Sequence, residues 1–384
     1  MNENIVFVMG SDGYIGTALV QRLLASGYSV VAFDSMIRRS CVEQIGGTSY
    51  TPILTSTNKN NILASSGKYV FHNIEIIENF DVIEKLFDQY RPGTIVNLAH
   101  QPSGPWSMKD RDHSEFTLFN NIMSTNKFMW MLKEKCPDCH YITVGSTGEY
   151  SHEIGVDIQE GYFTFKDGKR KSKESIFPRR PTSLYHASKV SSTYLIDYCT
   201  RIWNLKTTDV MQAVVFGMYT DEIDNTKIFT RFDIDECFGT VINRFIAQAI
   251  MGQDLTVYGE GKHQRGFLSL NDSVQALMIA IRNVPKAGKS RVWNQLSEWH
   301  SINSIAKMVQ NVAKRVLEKD VNIKHIPTLR HEFTGEHYYK YVCEILPSLG
   351  YKSTRTIEQE IEYCFTNLRN VSIPNVDMTP KIKF

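Results

Sequence analysis

The chain has 384 residues, 42% of them hydrophobic, with 43 Lys and Arg residues against 41 Asp and Glu residues. This length and apolar content suit a globular protein with one large core or two adjoining ones, and so small a net charge excludes a surface built for nucleic acid or an anionic membrane. No apolar run is long enough to cross a membrane, the N-terminus shows no leader pattern, and seven scattered cysteines suit a reducing cytoplasm, so we expect a cytoplasmic protein.

The first 34 residues predict a βαβ unit. A short apolar run, NIVFVMG, precedes the glycine-rich turn GSDGYIG, a helical pattern that ends near Gly27, and a second apolar strand, YSVVAFD. Gly10, Gly13 and Gly16 form the pattern GxxGxxG, in which glycine allows a tight turn and lets the backbone approach a pyrophosphate. The phosphates would then lie at the helix N-terminus, where unpaired N–H groups and the helix dipole favour negative charge.

Asp34 lies at the predicted end of the second strand, 18 residues after Gly16. A carboxylate at this position accepts hydrogen bonds from the ribose hydroxyls of an adenosine and repels the 2′-phosphate of NADP. We therefore predict NAD as the cofactor. Arg38 and Arg39 follow closely and keep NADP open as the alternative, because guanidinium groups bind phosphate.

Strand and helix patterns continue to alternate beyond this unit, which predicts an α/β fold with a doubly wound parallel sheet of the Rossmann type. Insertions near residues 40–68 and 152–181 interrupt the alternation. We predict an NAD-binding domain over 1–218. The mixed pattern after it predicts a smaller mixed α/β lobe over 219–384 that is interleaved with the first domain.

Cys136, Cys139 and His140 in the segment CPDCH match both a redox pattern and a haem-attachment pattern. The segment follows a helical pattern, FMWMLKEK, and precedes a strand pattern, YITVGS. We therefore predict a helix-to-strand connection. The sequence offers neither a second cysteine pair nor a histidine cluster, so we predict no metal site.

The strand pattern YITVGS ends at Ser146, and a helical segment further along carries Tyr185 and Lys189. Residues four apart share one face of a helix, and ligands of open α/β sheets bind at the carboxyl ends of the strands. A bare Tyr–Lys pair is more often a surface turn, but in this context we interpret the three residues as a catalytic set. Lys189 would lower the pKa of the Tyr185 phenol and bind the nicotinamide ribose, Tyr185 would take a hydroxyl proton, and Ser146 would orient that hydroxyl.

These motifs together resemble the extended short-chain dehydrogenases/reductases, NAD-dependent enzymes that act on nucleotide sugars and share GxxGxxG, a Ser or Thr strand end, and YxxxK. Within that family the chain is most similar to the sulfoquinovose synthase branch, through segments such as YHASK, DIDECFGTVINRF and EHYY. The resemblance implies transient oxidation of UDP-glucose at C4, loss of the C6 hydroxyl, addition of sulfite and return of the hydride. It also implies a homodimer through helices around residues 115–133 and 185–201.

The resemblance also implies the residues that bind each ligand. Besides the three glycines and Asp34, it implies cofactor contacts from Asp12, Tyr14, Ile15, Arg38, Leu98, Ala99, His100 and Lys189. The expected nucleotide-sugar contacts are the two diphosphate-binding arginines, Arg265 and Arg330, together with Gln101, Gln212, Asn243 and Tyr258. His186 and Glu149 are the candidates for proton transfer at C5 and C6; the alternatives are that His186 faces solvent or the dimer helix and that Glu149 bonds to backbone.

The chain departs from the synthase branch after the strand pattern TIVNL. The branch reads E-Q-R-S where this chain reads His100, Gln101, Pro102 and Ser103, so a carboxylate and a guanidinium are missing. Proline cannot bind sulfite as arginine can. A UDP-hexose 4-epimerase or dehydratase that adds no sulfite is therefore an alternative, and a catalytically silent sugar-nucleotide-binding protein is a further one. The intact catalytic set favours an enzyme.

Overall fold

A seven-stranded parallel sheet lies at the centre of the molecule. The structure is a computed structural model that describes residues 1–150, 155–328, 340–372, 376, 378 and 382. The strands of the sheet are β1 (Asn2–Met9), β2 (Ser29–Asp34), β3 (Tyr69–Asn73), β4 (Pro92–Asn97), β5 (His140–Ser146), β10 (Lys206–Gln212) and β14 (Arg291–Gln295). They lie in the order β14-β10-β5-β4-β1-β2-β3, and every neighbouring pair is parallel. The order reverses between β1 and β4, as in a doubly wound Rossmann-type sheet, so the predicted fold class is confirmed.

Both faces of the sheet are buried because successive side chains of each strand point to opposite sides. Val6 and Val8 pack with α1 (Tyr14–Ala25) and α10 (Leu270–Arg282) on one face. Phe7 packs on the other face with a second layer of helices. These helices are α4 (Phe80–Tyr90), α6 (Arg111–Lys135) and α7 (Leu184–Trp203). The near-continuous apolar strands of the sequence are thus explained by helices on both sides.

The first insertion forms two helices between β2 and β3. They are α2 (Ile37–Gln44) and α3 (Ser56–Ala64). The second insertion comes after a 3-10 turn at Thr147–Glu149 and contains two pairs of short antiparallel strands. These strands are β6 (Tyr162–Phe163) with β9 (Ser175–Ile176) and β7 (Lys166–Asp167) with β8 (Arg170–Lys171). Between β4 and α6 lies one short helix, α5 (Gly104–Ser107).

Most of the remaining elements build a smaller lobe around a separate apolar core. Its strands are β11 (Val214–Phe216), β12 (Leu255–Tyr258), β13 (Gln264–Ser269), β15 (Glu298–Ser301) and β16 (Ile323–Ile326). Its helices are α9 (Val241–Met251), α11 (Ile302–Val316) and α13 (Ile357–Leu368). Two short helices, α8 (Asp221–Thr226) and α12 (Ile345–Ser348), pack on the first core through Ile223 and Leu346. α10 and β14 lie within this stretch of the sequence but pack in the first core. No single residue therefore separates the two cores along the chain.

The segment CPDCH connects α6 to β5, as predicted. Cys136 ends the helix, Cys139 precedes the strand, and both are buried and free. Within the described ranges, no helix combines the length and the apolar composition that a membrane crossing requires.

Candidate active site

A cavity of about 460 Å³ lies at the carboxyl ends of β1, β4, β5 and β10. The glycine-rich turn and the segment after β4 form one side of it. The end of β5, the first turn of α7 and the segment 237–240 before α9 form the other side. This volume is typical of small-molecule sites, and the position is the one that a doubly wound sheet favours for ligands.

The glycine-rich turn between β1 and α1 has a backbone that only glycine fits at two positions. Gly10 has φ +78°, and a Cβ at this residue would lie 2.7 Å from the carbonyl carbon of Leu98. A Cβ at Gly16 would overlap the carbonyl oxygen of Gly10. Gly13 precedes α1 without any side-chain cap, so N–H groups of the first helical turn are available to a phosphate. The turn therefore fits the pyrophosphate of a dinucleotide.

Other predicted cofactor residues also line this side of the cavity, namely Tyr14, Ile15, Asp34, Leu98 and Ala99. Asp34 accepts hydrogen bonds from the backbone N–H of Asp12 at 2.8 Å and of Met36 at 2.7 Å. Burial and the nearby charge of Asp12 raise the pKa of Asp34. Asp34 thus fixes the glycine-rich turn while its carboxylate faces the position expected for a ribose.

The Asp12 side chain does not line the cavity. It is buried beneath the turn, where Arg39 Nε lies 2.7 Å from its Oδ2 and Lys59 of α3 forms a second ion pair with it. The expected contact between the Asp12 side chain and the cofactor is therefore corrected. The carboxylate binds two cations on the side of the turn away from the cavity and thereby supports the turn.

The two arginines near Asp34 are both bound by carboxylates. Arg38 lines the cavity, but its Nη2 lies 2.8 Å from Asp233 Oδ2, and its guanidinium stacks on the Phe238 ring at 3.8 Å. Arg39 is held by Asp12. Each guanidinium is therefore already paired with a carboxylate, which weakens its attraction for a 2′-phosphate and favours NAD over NADP at this end of the cavity.

Ser146, Tyr185 and Lys189 all line the cavity. Burial, reinforced by the charge of Glu149, raises the pKa of the Tyr185 phenol, and the Ser146 side chain opposes this increase. The Lys189 ammonium contacts His100, and burial lowers the pKa of Lys189.

His100 Nδ1 lies 2.7 Å from Lys189 Nζ, and His100 also lines the cavity. Burial and the charge of Lys189 lower the pKa of His100 well below its ordinary value. The imidazole is therefore neutral at physiological pH. The sequence placed both residues at the cofactor site but did not indicate that they contact each other.

His186 lines the cavity beside Tyr185, with the two ring centres 4.9 Å apart. Its Nδ1 lies 3.1 Å from the Thr182 hydroxyl and 3.0 Å from the Ser183 hydroxyl. Burial, with the charges of Arg265 and Lys189, lowers the pKa of His186 to about 3. The alternative of a solvent-facing His186 is thus wrong, and the neutral ring has a free site for a proton.

Glu149 does not border the cavity, which corrects the prediction of a substrate-facing carboxylate. It is completely buried, and its Oε1 accepts a hydrogen bond from the backbone N–H of Ser146 at 3.0 Å. The Thr193 hydroxyl lies 3.3 Å from Oε2, and burial raises the pKa of Glu149. The 3-10 turn after β5 folds the side chain back behind the strand end, which is the backbone-bonded alternative.

The predicted substrate residues are not all brought together. Gln101 and Gln212 line the cavity. Asn243 instead accepts a hydrogen bond from the backbone N–H of Gly217 at 2.9 Å, and the Tyr258 hydroxyl donates to the carbonyl of Met378 at 2.7 Å, so both act as structural groups of the smaller lobe. Arg265 is not part of the cavity wall, although its charge acts on the adjacent His186. Arg330 lies outside the described residues.

The N-terminus of α9 borders the cavity and was not predicted as a functional element. Gly239 and Thr240 line the wall, and the buried Thr240 hydroxyl has no hydrogen-bond partner in the part of the chain that the structure describes. The helix has no side-chain cap. Its first N–H groups are therefore available to an anionic ligand. The Gly-Thr pair before the helical pattern VINRF was the available sequence signal.

Comparison with known proteins gives one family. The family model described as the NAD dependent epimerase/dehydratase family matches residues 6–294. The UDP-sulfoquinovose synthase of Sulfolobus acidocaldarius is 34% identical over 365 residues, which are 94% of this chain and 92% of that protein. The chloroplastic UDP-sulfoquinovose synthase of Spinacia oleracea is 35% identical over 349 residues, which are 90% of this chain and 72% of that protein.

Solved structures support the fold. The UDP-glucuronic acid 4-epimerase of Bacillus cereus, crystallised with UDP-glucuronic acid and NAD, superposes with a TM-score of 0.69 at 18% identity. The match covers 96% of this chain and all of that chain. In the described ranges, no group of three or more His, Cys, Asp or Glu side chains is arranged to hold a metal ion.

Proposed function

Because this chain belongs to the NAD dependent epimerase/dehydratase family, we propose that it is a sulfoquinovose synthase-like enzyme that acts on UDP-glucose with sulfite. Its cofactor is NAD. One observation carries the proposal: the side chains of Ser146, Tyr185, His186 and Lys189 meet in the cavity that the glycine-rich turn also lines. The similarity to UDP-sulfoquinovose synthases over most of the chain supports the choice of substrate.

NAD, when bound, takes a hydride from C4 of the sugar and later returns it. We assign the accompanying proton of the C4 hydroxyl to Tyr185, which lines the cavity together with Ser146. The Lys189 ammonium favours the phenolate that Tyr185 must become to take this proton.

A ketone at C4 makes the C5–H bond acidic, and we assign removal of this proton to the neutral imidazole of His186. The resulting imidazolium gives the proton to the C6 hydroxyl, which leaves as water while a C5–C6 double bond forms. A sulfite lone pair then forms the carbon–sulfur bond at C6, and C5 takes up a proton. One residue serves both proton transfers because Glu149, the other candidate, is buried behind Ser146.

For the diphosphate of the nucleotide sugar we propose the N-terminus of α9. Gly239 and Thr240 line the cavity there, and the Thr240 hydroxyl is unpartnered within the described ranges. An oxygen of a phosphate can accept hydrogen bonds from this hydroxyl and from the first helical N–H groups.

Pro102 favours a second candidate function. It lines the cavity where the synthase branch has arginine, so the wall lacks a guanidinium that could bind sulfite. A 4-epimerase or a dehydratase of a UDP-hexose needs no such group. The two functions share the oxidation at C4 and differ only in the fate of the 4-keto sugar.

We also propose a homodimer formed through α6 and α7. These helices carry five exposed large apolar side chains, namely Phe119, Trp130, Tyr194, Tyr198 and Ile202. An exposed apolar stripe of this kind marks an interaction surface, and a second copy would bury it symmetrically. All seven cysteines are free, which supports a reducing compartment such as the cytoplasm.

The test is mass spectrometry of the nucleotide sugar after the purified protein is incubated with UDP-glucose in deuterated water, with and without sulfite. A sulfonated product is the expected result, and Tyr185→Phe should yield none. Loss of water or deuterium at C5 without a sulfonate would support the dehydratase candidate. An unchanged sugar in both conditions would contradict both functions.

A further inference from the structure

A buried hydrogen bond connects the segment after β4 to α7: His100 Nδ1 lies 2.7 Å from Lys189 Nζ. We propose that His100 is a positioning residue for Lys189, which it holds through a neutral imidazole so that the full ammonium charge remains available to Tyr185. The inference rests on the proposed function and adds to it a residue in which this chain departs from the synthase branch.

The closest contacts of His100 define its tautomer; the Asn97 amide nitrogen, 3.5 Å from Nε2, is itself a donor and forms no hydrogen bond with a protonated Nε2. An ammonium group has three donors and no acceptor, so His100 Nδ1 must be the acceptor and Nε2 must carry the ring proton. Nε2 then donates to the Thr125 hydroxyl at 3.3 Å, and that hydroxyl donates to the carbonyl of Asn121 at 2.9 Å. Both ring nitrogens are thereby fixed, and α6 supports the imidazole from the side opposite Lys189.

This contact is the only hydrogen bond of the Lys189 ammonium within the described residues. Lys189 is 4% exposed. Without an acceptor its position would depend on packing alone. His100 therefore supplies both a partner and a direction for a side chain that must remain beside Tyr185.

The surrounding charges keep the imidazole neutral. Burial and the adjacent ammonium lower the pKa of His100. Burial also lowers the pKa of Lys189, but the charges of Asp209 from β10 and Glu149 from the turn after β5 oppose this decrease and favour the protonated lysine. The other titratable groups that face the pair are Tyr185 and His186, on the first turn of α7. The stable arrangement is a cationic lysine bound by a neutral histidine.

A carboxylate at this position, as in the E-Q-R-S run of the branch, would act differently. It would accept the same hydrogen bond, but its negative charge would offset the ammonium and oppose formation of a phenolate at Tyr185. A neutral acceptor avoids that effect. We therefore expect the charge at residue 100 to set the pH above which Tyr185 can take the hydroxyl proton.

The first test does not depend on activity. Imidazole nitrogen NMR spectra of the full-length protein, with His100→Asn used to assign the signal, should show His100 protonated on Nε2 and not titrating through the neutral range. Lys189→Met removes the adjacent charge and should raise the pKa of His100 by about one unit or more. A His100 signal that titrates normally in the wild type, or that Lys189→Met leaves unchanged, would overturn the proposal.

The second test is the pH profile of NADH formation when UDP-glucose is added. In His100→Glu the rising limb of this profile should lie about one pH unit higher than in the wild type. At a given pH on that limb, the rate should therefore be about tenfold lower. His100→Asn keeps a neutral acceptor near the Nδ1 position and should retain the wild-type limb. The control is His140→Gln, because His140 is a buried histidine that contacts the Thr208 hydroxyl and lies at the far end of β5 from Ser146.

The outcomes separate the two proposals. A His100→Glu limb that coincides with the wild-type limb, or an equal shift in His140→Gln, would overturn the role of His100. If the wild type forms no NADH with UDP-glucose, the proposed function fails, and the spectra still decide whether His100 holds Lys189.

Discussion

Glu149 and Asp209 form a buried carboxylate pair directly behind Ser146. The Thr193 hydroxyl lies 2.7 Å from Asp209 and 3.3 Å from Glu149, but it has one proton to donate. Burial raises the pKa of both acids, and each carboxylate opposes ionisation of the other. The Arg179 guanidinium, stacked 4.0 Å above the Tyr150 ring, supplies the nearby positive charge. This cluster shapes the active site without touching its ligands.

Gly148 gives a prediction about His186. The nearest neighbours of a Cβ at residue 148 would be atoms of the His186 ring, at a separation that no real Cβ tolerates. Gly148→Ala should therefore displace the imidazole and slow proton exchange at C5 of the sugar by about 10- to 100-fold. Oxidation at C4 should be nearly unchanged, because Tyr185 does the proton transfer there. Deuterium incorporation and NADH formation measure the two steps separately.

A double-mutant cycle provides the control for this prediction. In a His186→Asn background, Gly148→Ala should cause little further loss, because the displaced ring is already absent. A similar additional loss in that background would show that the methyl group acts elsewhere.

Local sequence signals were sufficient for part of the site and insufficient for the rest. Ser146 could be placed by its strand end, and Tyr185 with Lys189 by one helical turn, because both rules act over a few residues. The contact of His100 with Lys189 joins positions 89 apart in sequence, and Arg38 pairs with Asp233 over 195 positions. The periodicity of the sequence does not predict such long-range pairs, although they determine which charged groups are available to a ligand.

At the scale of secondary structure, Glu360 connects α13 to the loop after β11. Its Oε1 accepts the backbone N–H groups of Met218 at 2.9 Å and Tyr219 at 3.0 Å, and burial raises the pKa of Glu360 to about 7 from 4.5. The folded state binds the proton of the Glu360 carboxyl more tightly than the unfolded state does. Its favourable contribution to the free energy of unfolding is therefore complete below about pH 4.5 and is lost as the pH rises through about 7.

Glu360→Gln should remove this pH dependence and keep the Oε1 acceptor. As the pH rises from about 4.5 to 7.5, the free energy of unfolding of the wild type should decrease by up to about 3 kcal/mol more than that of the variant. Denaturant unfolding at each pH measures the difference. Glu358→Gln, on an exposed side of the same helix, is the control and should match the wild type. Parallel curves for wild type and Glu360→Gln would contradict the prediction.

Sequence patterns predicted some elements better than others. The β1-α1-β2 unit was evident because an apolar strand, a glycine turn and a full amphipathic helix succeed one another without interruption. The insertion after β5 contains strands of only two residues each, which are too short for alternation to show. The sequence pattern shows α2 and α3 only as an insertion, yet α3 supplies Lys59 to the buried Asp12.

At the scale of the whole molecule, the proposed dimer gives a further prediction. Tyr198→Glu places a charge on the apolar stripe of α7, and burial of that charge in an interface would be unfavourable. We expect the variant to be monomeric by light scattering where the wild type is dimeric. Val284→Glu is the matched control, because Val284 is as exposed as Tyr198, 54% in each case, and lies away from both helices. A dimeric Tyr198→Glu protein would contradict this interface.

The late position of β14 in the sequence has a consequence for how the chain folds during synthesis. β14 covers β10 at the edge of the central sheet, but in sequence it comes after β11, β12, β13 and α9 of the smaller lobe. Until residue 295 has left the ribosome, β10 is an unpaired edge with exposed backbone donors and acceptors. The edge of β10 is therefore open to strand pairing with other chains from the synthesis of residue 212 to that of residue 295, about a fifth of the chain, and β14 closes it only when more than three-quarters of the protein has been made.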